Sequence, residues 1–149
     1  MIRLATPRDI PGLLLIVEGY AKENPITALQ RSTNHNSEYV AQLLLEIIVG
    51  RGFIYIDHEL TGAIIAYKTP NIWSPKLYEL HELLWWVRPE RRQGTIGGRL
   101  WKCFDDHAQM MMDAGKVHIV CTSTSTITPA LDYGKRGYKP LSSTFFREL

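Results

Sequence analysis

The chain has no apolar run approaching the roughly 20 residues that cross a bilayer as a helix, so no helical membrane anchor is expected. The apolar run nearest the start, Leu13 to Val17, is short and follows Arg8 and Asp9, so no signal peptide is expected either. Cysteine is scarce. Cys103 and Cys121 show neither metal-ligand spacing nor a disulfide framework, which fits a reduced, cytoplasmic setting with both thiols acting as small buried apolar groups. Charge bias is also lacking: 17 Lys and Arg against 15 Asp and Glu give a net charge of +2, too little for bulk nucleic-acid binding. There is no glycine loop ending in Lys-Ser or Lys-Thr, and no Gly-x-Gly-x-x-Gly. Repeats, low-complexity tracts and linkers are absent. What remains is 149 residues, 45% hydrophobic and 21% charged, which reads as one domain over residues 1–149 with enough chain to bury a core.

The elements follow from periodicity and punctuation. Thr6 and Asp9, with Pro7 between them, cap a first helix whose apolar face is Ile10, Leu13, Leu14, Val17 and Ala21, ended by Asn24-Pro25. Ser37 caps a second helix with Val40, Leu43, Leu44, Ile47 and Ile48 inward, as far as Gly50. Gly52 to Ile56 and Leu60 to Lys68 form a hairpin. Thr69 to Lys76, with two prolines, reads as a loop, and Leu77 to Val87 as a long strand. A helix of about 20 residues, a strand at Val117 to Cys121, a short helix and a closing strand at Thr144 to Leu149 complete the chain. Strands and helices mixed in this order give an α/β or α+β three-layer domain around one sheet.

The richest stretch joins the long strand to the long helix: Val87-Arg88-Pro89-Glu90-Arg91-Arg92-Gln93-Gly94-Thr95-Ile96-Gly97-Gly98-Arg99-Leu100. The first N–H groups of a helix lack intrahelical partners, and the helix dipole places positive charge there. Glycines let a ligand approach the backbone closely. Strand, glycine turn and helix together read as a cradle for the diphosphate of a nucleotide-like cofactor, with Gln93, Gly94, Thr95, Ile96, Gly97 and Gly98 supplying backbone donors.

This segment resembles the Arg/Gln-x-x-Gly-x-Gly/Ala signature of the GCN5-related N-acetyltransferase family, which binds the pyrophosphate of acetyl-CoA. The preferred register is Arg92-Gln93-Gly94-Thr95-Ile96-Gly97, with Thr95 where the family usually has glycine. The other, Arg91 to Ile96, keeps Gly94 and loses the last glycine. The wording Gly94-Thr95-Ile96-Gly97 is similar to small virus-encoded members. The resemblance extends to Ile2 to Ile10 at the front and to Tyr133, which stands four residues before Gly137-Tyr138. Seven residues before Tyr133, where many members have asparagine, stands Thr126.

The resemblance implies a splayed parallel strand pair, ending at Val87 and Cys121, with acetyl-CoA in the gap as cosubstrate. It implies direct acetyl transfer to an amine, with Trp85, Trp86 and Val87 beside the pantetheine and Val87 near the oxyanion donor. Tyr133 is the expected general acid for the departing thiolate. Strand alternation puts Glu79, His81, Leu83, Trp85 and Val87 on one face; His81 falls where some family members carry a basic glutamate or histidine, so the resemblance makes it the first choice for general base, with Glu79 the second. A bulge would shift the parity and bring in Glu82 instead. His81-Glu82 looks like half of a zinc His-Glu-x-x-His site, but the fifth position is Trp85 and the segment is strand, so no metal is expected.

Arg88, Arg91, Arg92, Arg99 and Lys102 form a basic cluster, and Arg99, Lys102 or Lys135 would meet the 3′-phosphate. Glu18, Glu23, Glu38, Glu79 and Glu82 are acids that would draw a cationic acceptor, a small amine or a peptide or protein. The chain would act alone or as a homodimer. The alternative is a member of the fold that binds CoA without catalysis and serves as a structural or interaction protein. A nucleic-acid module is disfavoured, because the basic residues lack interleaved aromatics on an open face.

Overall fold

A computed structural model describes residues 1–125 and 131–149. Thr126 lies outside the described residues. Five strands make one mixed sheet in chain order: β1 (Ile2–Leu4), β2 (Gly52–Asp57), β3 (Gly62–Asn71), β4 (Ser74–Val87) and β5 (Ile119–Cys121). The first four are antiparallel neighbours, and β5 runs parallel to β4. The helices are α1 (Ile10–Glu23), α2 (Thr27–Gln30), α3 (Ser37–Glu46) and α4 (Ile96–Asp113). Both faces of the sheet are covered, which is the expected α+β three-layer arrangement. Leu13 and Ile16 of α1 and Leu44 of α3 pack on Ile54, Ile56, Ala63 and Ile65. Leu100, Trp101, Phe104 and Ala108 of α4 pack on Phe53, Ile64, Ala66 and Leu80. Leu100, Trp101 and Phe104 are at most 1% exposed, and each such side chain contributes about 1.5–3 kcal/mol on burial.

Local chemistry fixes the ends of these elements. Asp9 accepts the Thr6 N–H at 2.8 Å and two bonds of 2.9 Å from Arg3, tying β1 to the start of α1. α3 is capped one residue earlier than the sequence suggests: the Asn36 side chain, not Ser37, accepts the Tyr39 N–H at 3.0 Å. Buried Asp57 closes the β2–β3 turn by accepting from Thr61 N, Thr61 Oγ1 and Gly62 N at 2.7–2.8 Å.

Three expectations are corrected. Residues 69–76 are not a loop. β3 and β4 run through them to a tight hairpin in which Asn71 Oδ1 accepts the Trp73 N–H at 2.8 Å, an Asx turn. Pro70 and Pro75 sit at the end of the ladder, beside a register shift, where a missing donor matters least. The expected closing strand at 144–149 is absent among the described residues. The Glu148 carboxylate accepts the Thr27 and Ala28 N–H groups at 2.9 Å, so the tail lies against α2 instead of the sheet, with Phe145 exposed.

The third correction decides the site. Ile65 pairs with Leu84 and Ala66 with Glu82, so Leu83 is an extra residue, a β-bulge with an exposed side chain. The bulge breaks the alternation along β4. Glu79 and His81 therefore do not share a face with Trp85 and Val87. They lie on the α1 face, His81 opposite Tyr67, while Glu82, opposite Ala66, shares the α4 face with Leu80, Trp85 and Val87. β5 pairs only with Glu79, Leu80 and His81. From Glu82 to Val87, β4 runs on without it among the described residues, and the paired part of the two parallel strands ends at this fork.

Candidate active site

The far end of β4 presents its backbone to the fork. Arg88 N–H donates to Thr61 O at 2.8 Å, and Val87 stands opposite Gly62. Antiparallel bonding alternates, so the N–H and C=O groups of Trp85 and Val87 turn away from β3. Arg92 Nε takes the Val87 carbonyl at 2.7 Å, which leaves the Val87 N–H as a donor. The indoles of Trp85 and Trp86 do different work from their backbone. Trp85 Nε1 donates to Gly97 O at 3.1 Å and so fixes the glycine loop to the strand. Trp86 packs in the α1-side core and donates to Glu23 at 2.9 Å.

After Pro89 the chain makes a single 3₁₀ turn and enters α4 at Ile96, with Thr95 at the cap position and no side-chain cap. The first bond of the helix runs from Arg99 N–H to Thr95 O at 3.0 Å. The N–H groups of Thr95, Ile96, Gly97 and Gly98 have no partner among the described residues. A Cβ at Gly98 would meet nothing, and one at Gly97 would touch Val87 and Trp85 only at ordinary contact distance. The loop therefore leaves four donors without a partner among the described residues at the positive end of an 18-residue helix, with open space at the Gly98 Cα.

Arg92 does not reach into that space. Its guanidinium is paired with Glu23 at the end of α1 and lies over the Trp86 ring, and this cation holds the Glu23 carboxyl below its usual range. Of the other basic residues, Arg91 pairs with Glu59 and Lys102 with Asp106, and Lys135 lies 3.9 Å from Asp132. Arg88 and Arg99 have no ion pair among the described residues. The acids sort similarly: Glu18 pairs with Lys22, and Glu23 with Arg92.

Glu82 stands at the fork itself. Thr122 Oγ1 donates to it at 3.3 Å, and the nearby Ser123 N–H also favours its charged form. Burial outweighs both and pushes its carboxyl up to about 7. Tyr133 faces it from the 3₁₀ turn after β5. Burial, and then the Glu82 charge, raise the Tyr133 pKa, with Thr122 opposing. The Tyr133 hydroxyl is buried and makes no hydrogen bond of ordinary length among the described residues, while its ring rests on Trp101 and Tyr138. An orphaned buried hydroxyl costs stability and marks a place where a ligand atom is wanted. Tyr20 of α1 also feels the Glu82 charge, which adds to burial in raising its pKa.

His81 and Glu79 lie on the opposite face of β4. His81 Nε2 is 3.6 Å from Glu79 Oε1, and Glu79 accepts from Asn71 Nδ2 at 3.1 Å. Cys121, the register partner of His81, completes a close trio with them. Burial, with Glu79 adding, raises its thiol pKa. Cys103 is likewise a free thiol. The sequence offered no sign that β5 would bring Cys121 beside Glu79 and His81, because the pairing is set by tertiary register.

The sequence matches no protein-family model and no curated protein. Solved structures resemble the fold over its whole length. An aminoglycoside acetyltransferase from an uncultured soil metagenomic sample, in complex with trehalose, is similar with a TM-score of 0.63 at 15% identity, covering 100% of this chain and 95% of that one. An acetyltransferase of Trypanosoma brucei has a TM-score of 0.64 at 14% identity, covering 100% and 99%. A ribosomal-protein-alanine N-acetyltransferase of Brucella melitensis biovar Abortus has a TM-score of 0.61 at 16% identity, covering 99% and 98%. The five-stranded mixed sheet, with its parallel β4–β5 pair and flanking helices, is the fold of the GCN5-related N-acetyltransferases.

Proposed function

We propose that the protein is an N-acetyltransferase that takes its acetyl group from acetyl-CoA and passes it directly to an amine. The observation that carries this reading is the pairing of Glu82 and Tyr133 where β5 stops pairing with β4: a carboxylate with a pKa of about 7 beside a buried tyrosine hydroxyl that makes no hydrogen bond of ordinary length among the described residues. The residues present fit the cosubstrate. The N–H groups of Thr95 to Gly98 would hold its pyrophosphate, with Gln93 and Gly94 forming the approach. Arg99, in the first turn of α4 and without an ion pair among the described residues, suits the 3′-phosphate. Trp85 and Val87 would pair its amides as an added strand.

Acetyl-CoA would supply the activated thioester. Each remaining role falls to a group of this chain. The Val87 N–H donates to the thioester oxygen as negative charge develops there. Glu82 removes the proton of the attacking amine, either directly or through a water, so that a neutral nitrogen forms the new C–N bond. Tyr133 gives its proton to the sulfur as the C–S bond breaks. Holding both reactants at the fork supplies much of the rate. Glu82 replaces His81 and Glu79 as base because the bulge turns it, and not them, to the face of Trp85, Val87 and Tyr133.

The acceptor class is an amine. The neighbours' names point to aminoglycosides and to ribosomal-protein alanine as acceptors in this fold, which defines a first panel beside polyamines and amino acids. Incubating the protein with acetyl-CoA and each amine, with mass spectrometry of the products, tests the reading. The expected result is an acetylated amine and free CoA in equal amounts. CoA binding with no acetylation anywhere on the panel would favour a protein that keeps the fold and the ligand but not the reaction.

A further inference from the structure

We propose that Glu79, His81 and Cys121 form a binding site for a single zinc-class divalent cation, on the α1 face of the sheet at the last paired residues before the fork. Glu79 and His81 are two apart on β4, so both side chains project from one face. Cys121 is the parallel partner of His81 and joins them on that face. One donor atom from each lies within 4.8 Å of the other two, and His81 Nε2 stands 3.6 Å from Glu79 Oε1. Among the described residues no other three such side chains come together.

The chemistry of the set selects the ion. Zinc bonds of about 2.0–2.3 Å to nitrogen, oxygen and sulfur in a tetrahedron put neighbouring donors roughly 3.3–3.6 Å apart. The histidine–glutamate pair already has this spacing, and a rotamer adjustment of the thiol closes the rest. A thiolate with an imidazole prefers zinc-like ions to magnesium or calcium. One thiolate and one carboxylate balance a divalent charge. The second carboxylate oxygen of Glu79 is held by Asn71 Nδ2 at 3.1 Å, the kind of outer bond that orients a metal ligand. Three protein ligands leave a fourth position for water. All three side chains are partly buried, so the ion would pin β4 to β5 immediately below the point where they part. The site uses the opposite face of β4 from Glu82 and Tyr133.

Metal-stripped full-length protein should be titrated with Co²⁺ and, separately, with Zn²⁺ by calorimetry. The expected result is one equivalent bound, a thiolate-to-cobalt charge-transfer band in the near ultraviolet, and a higher Tm with zinc. Cys121→Ala should abolish the band, whereas Cys103→Ala keeps it. His81→Ala and Glu79→Gln should each weaken zinc binding at least about tenfold. A readout on the unmodified chain covers variants that fail to fold: zinc should protect Cys121, and not Cys103, from alkylation, as mapped by peptide mass spectrometry. No stoichiometric binding, binding unchanged in Cys121→Ala, or equal alkylation of Cys121 with and without zinc would each overturn the proposal.

Discussion

Glu82→Gln separates proton transfer from everything else at the fork. Glutamine keeps the shape of the side chain and can still accept from Thr122 and Ser123, but it takes no proton. With a carboxyl near 7, half of the wild-type molecules carry the base form at neutrality. Wild-type kcat/KM should therefore rise with an inflection near pH 7, superimposed on the acceptor's own deprotonation. A general base contributes about 10²–10⁴-fold. The variant should fall by that factor and lose the inflection, keeping only the slope due to the amine. Stability gives a second readout with a definite sign. The folded pKa is raised from 4.5 to about 7, so the contribution is full below pH 4.5 and is lost as pH rises through 7. The whole shift corresponds to about 3 kcal/mol. Urea denaturation between pH 4 and 8 should show the wild type losing up to that amount relative to Glu82→Gln. A variant that keeps both the rate and the inflection would remove Glu82 from catalysis. A stability difference that stays flat across this range would show that the carboxyl is not perturbed.

Tyr133→Phe removes a buried hydroxyl that makes no hydrogen bond of ordinary length among the described residues, so thermal stability should hold or rise slightly, while kcat falls about 10²–10⁴-fold with little change in KM for acetyl-CoA. An unchanged kcat where chemistry limits the rate would exclude it as the acid. Gly98→Val should fold normally, because a Cβ there meets nothing within 4 Å, yet should weaken CoA binding at least about tenfold by calorimetry, the equivalent of one lost charge-assisted hydrogen bond. Asp9→Asn should lower stability at pH 7 by about 1–2 kcal/mol, since Arg3 and the Thr6 N–H hold the Asp9 carboxyl at about 2. That difference is present above pH 3.8 and vanishes as pH falls through 2, which acid titration of the unfolding free energy would reveal.

Much of the fold was legible because its signals are local. The α4 face Leu100, Phe104 and Ala108, the proline and glycines before it, and the Thr6–Asp9 pair all act within a turn or two of chain. The strand–glycine loop–helix order also points to backbone donors at residues 93–98, of which those of Thr95 to Gly98 have no partner among the described residues while the Gly94 N–H donates to Arg91 O. What the sequence hid depends on tertiary register. The bulge at Leu83 leaves no mark in the run Leu80 to Val87, yet it exchanges the faces of His81 and Glu82. Arg92 reads as a residue of the cofactor loop, and no local pattern shows that α1 delivers Glu23 to its guanidinium. Cys121 looks like an isolated apolar thiol until β5 sets it beside His81. The prolines at 70 and 75 argue for a loop because composition does not reveal that Asn71 closes the hairpin. The tail at 144–149 has the residues of a strand but gives its carboxylate to α2.

The fork is tested most directly by amide chemical-shift mapping of the assigned protein during titration with CoA. A ligand held as described should saturate and move the N–H resonances of Thr95, Ile96, Gly97 and Gly98 together with those of Trp85 and Val87, leaving the β1–β2 edge unmoved. No saturable shift at millimolar CoA, or shifts confined to another face of the sheet, would contradict the assignment of this site.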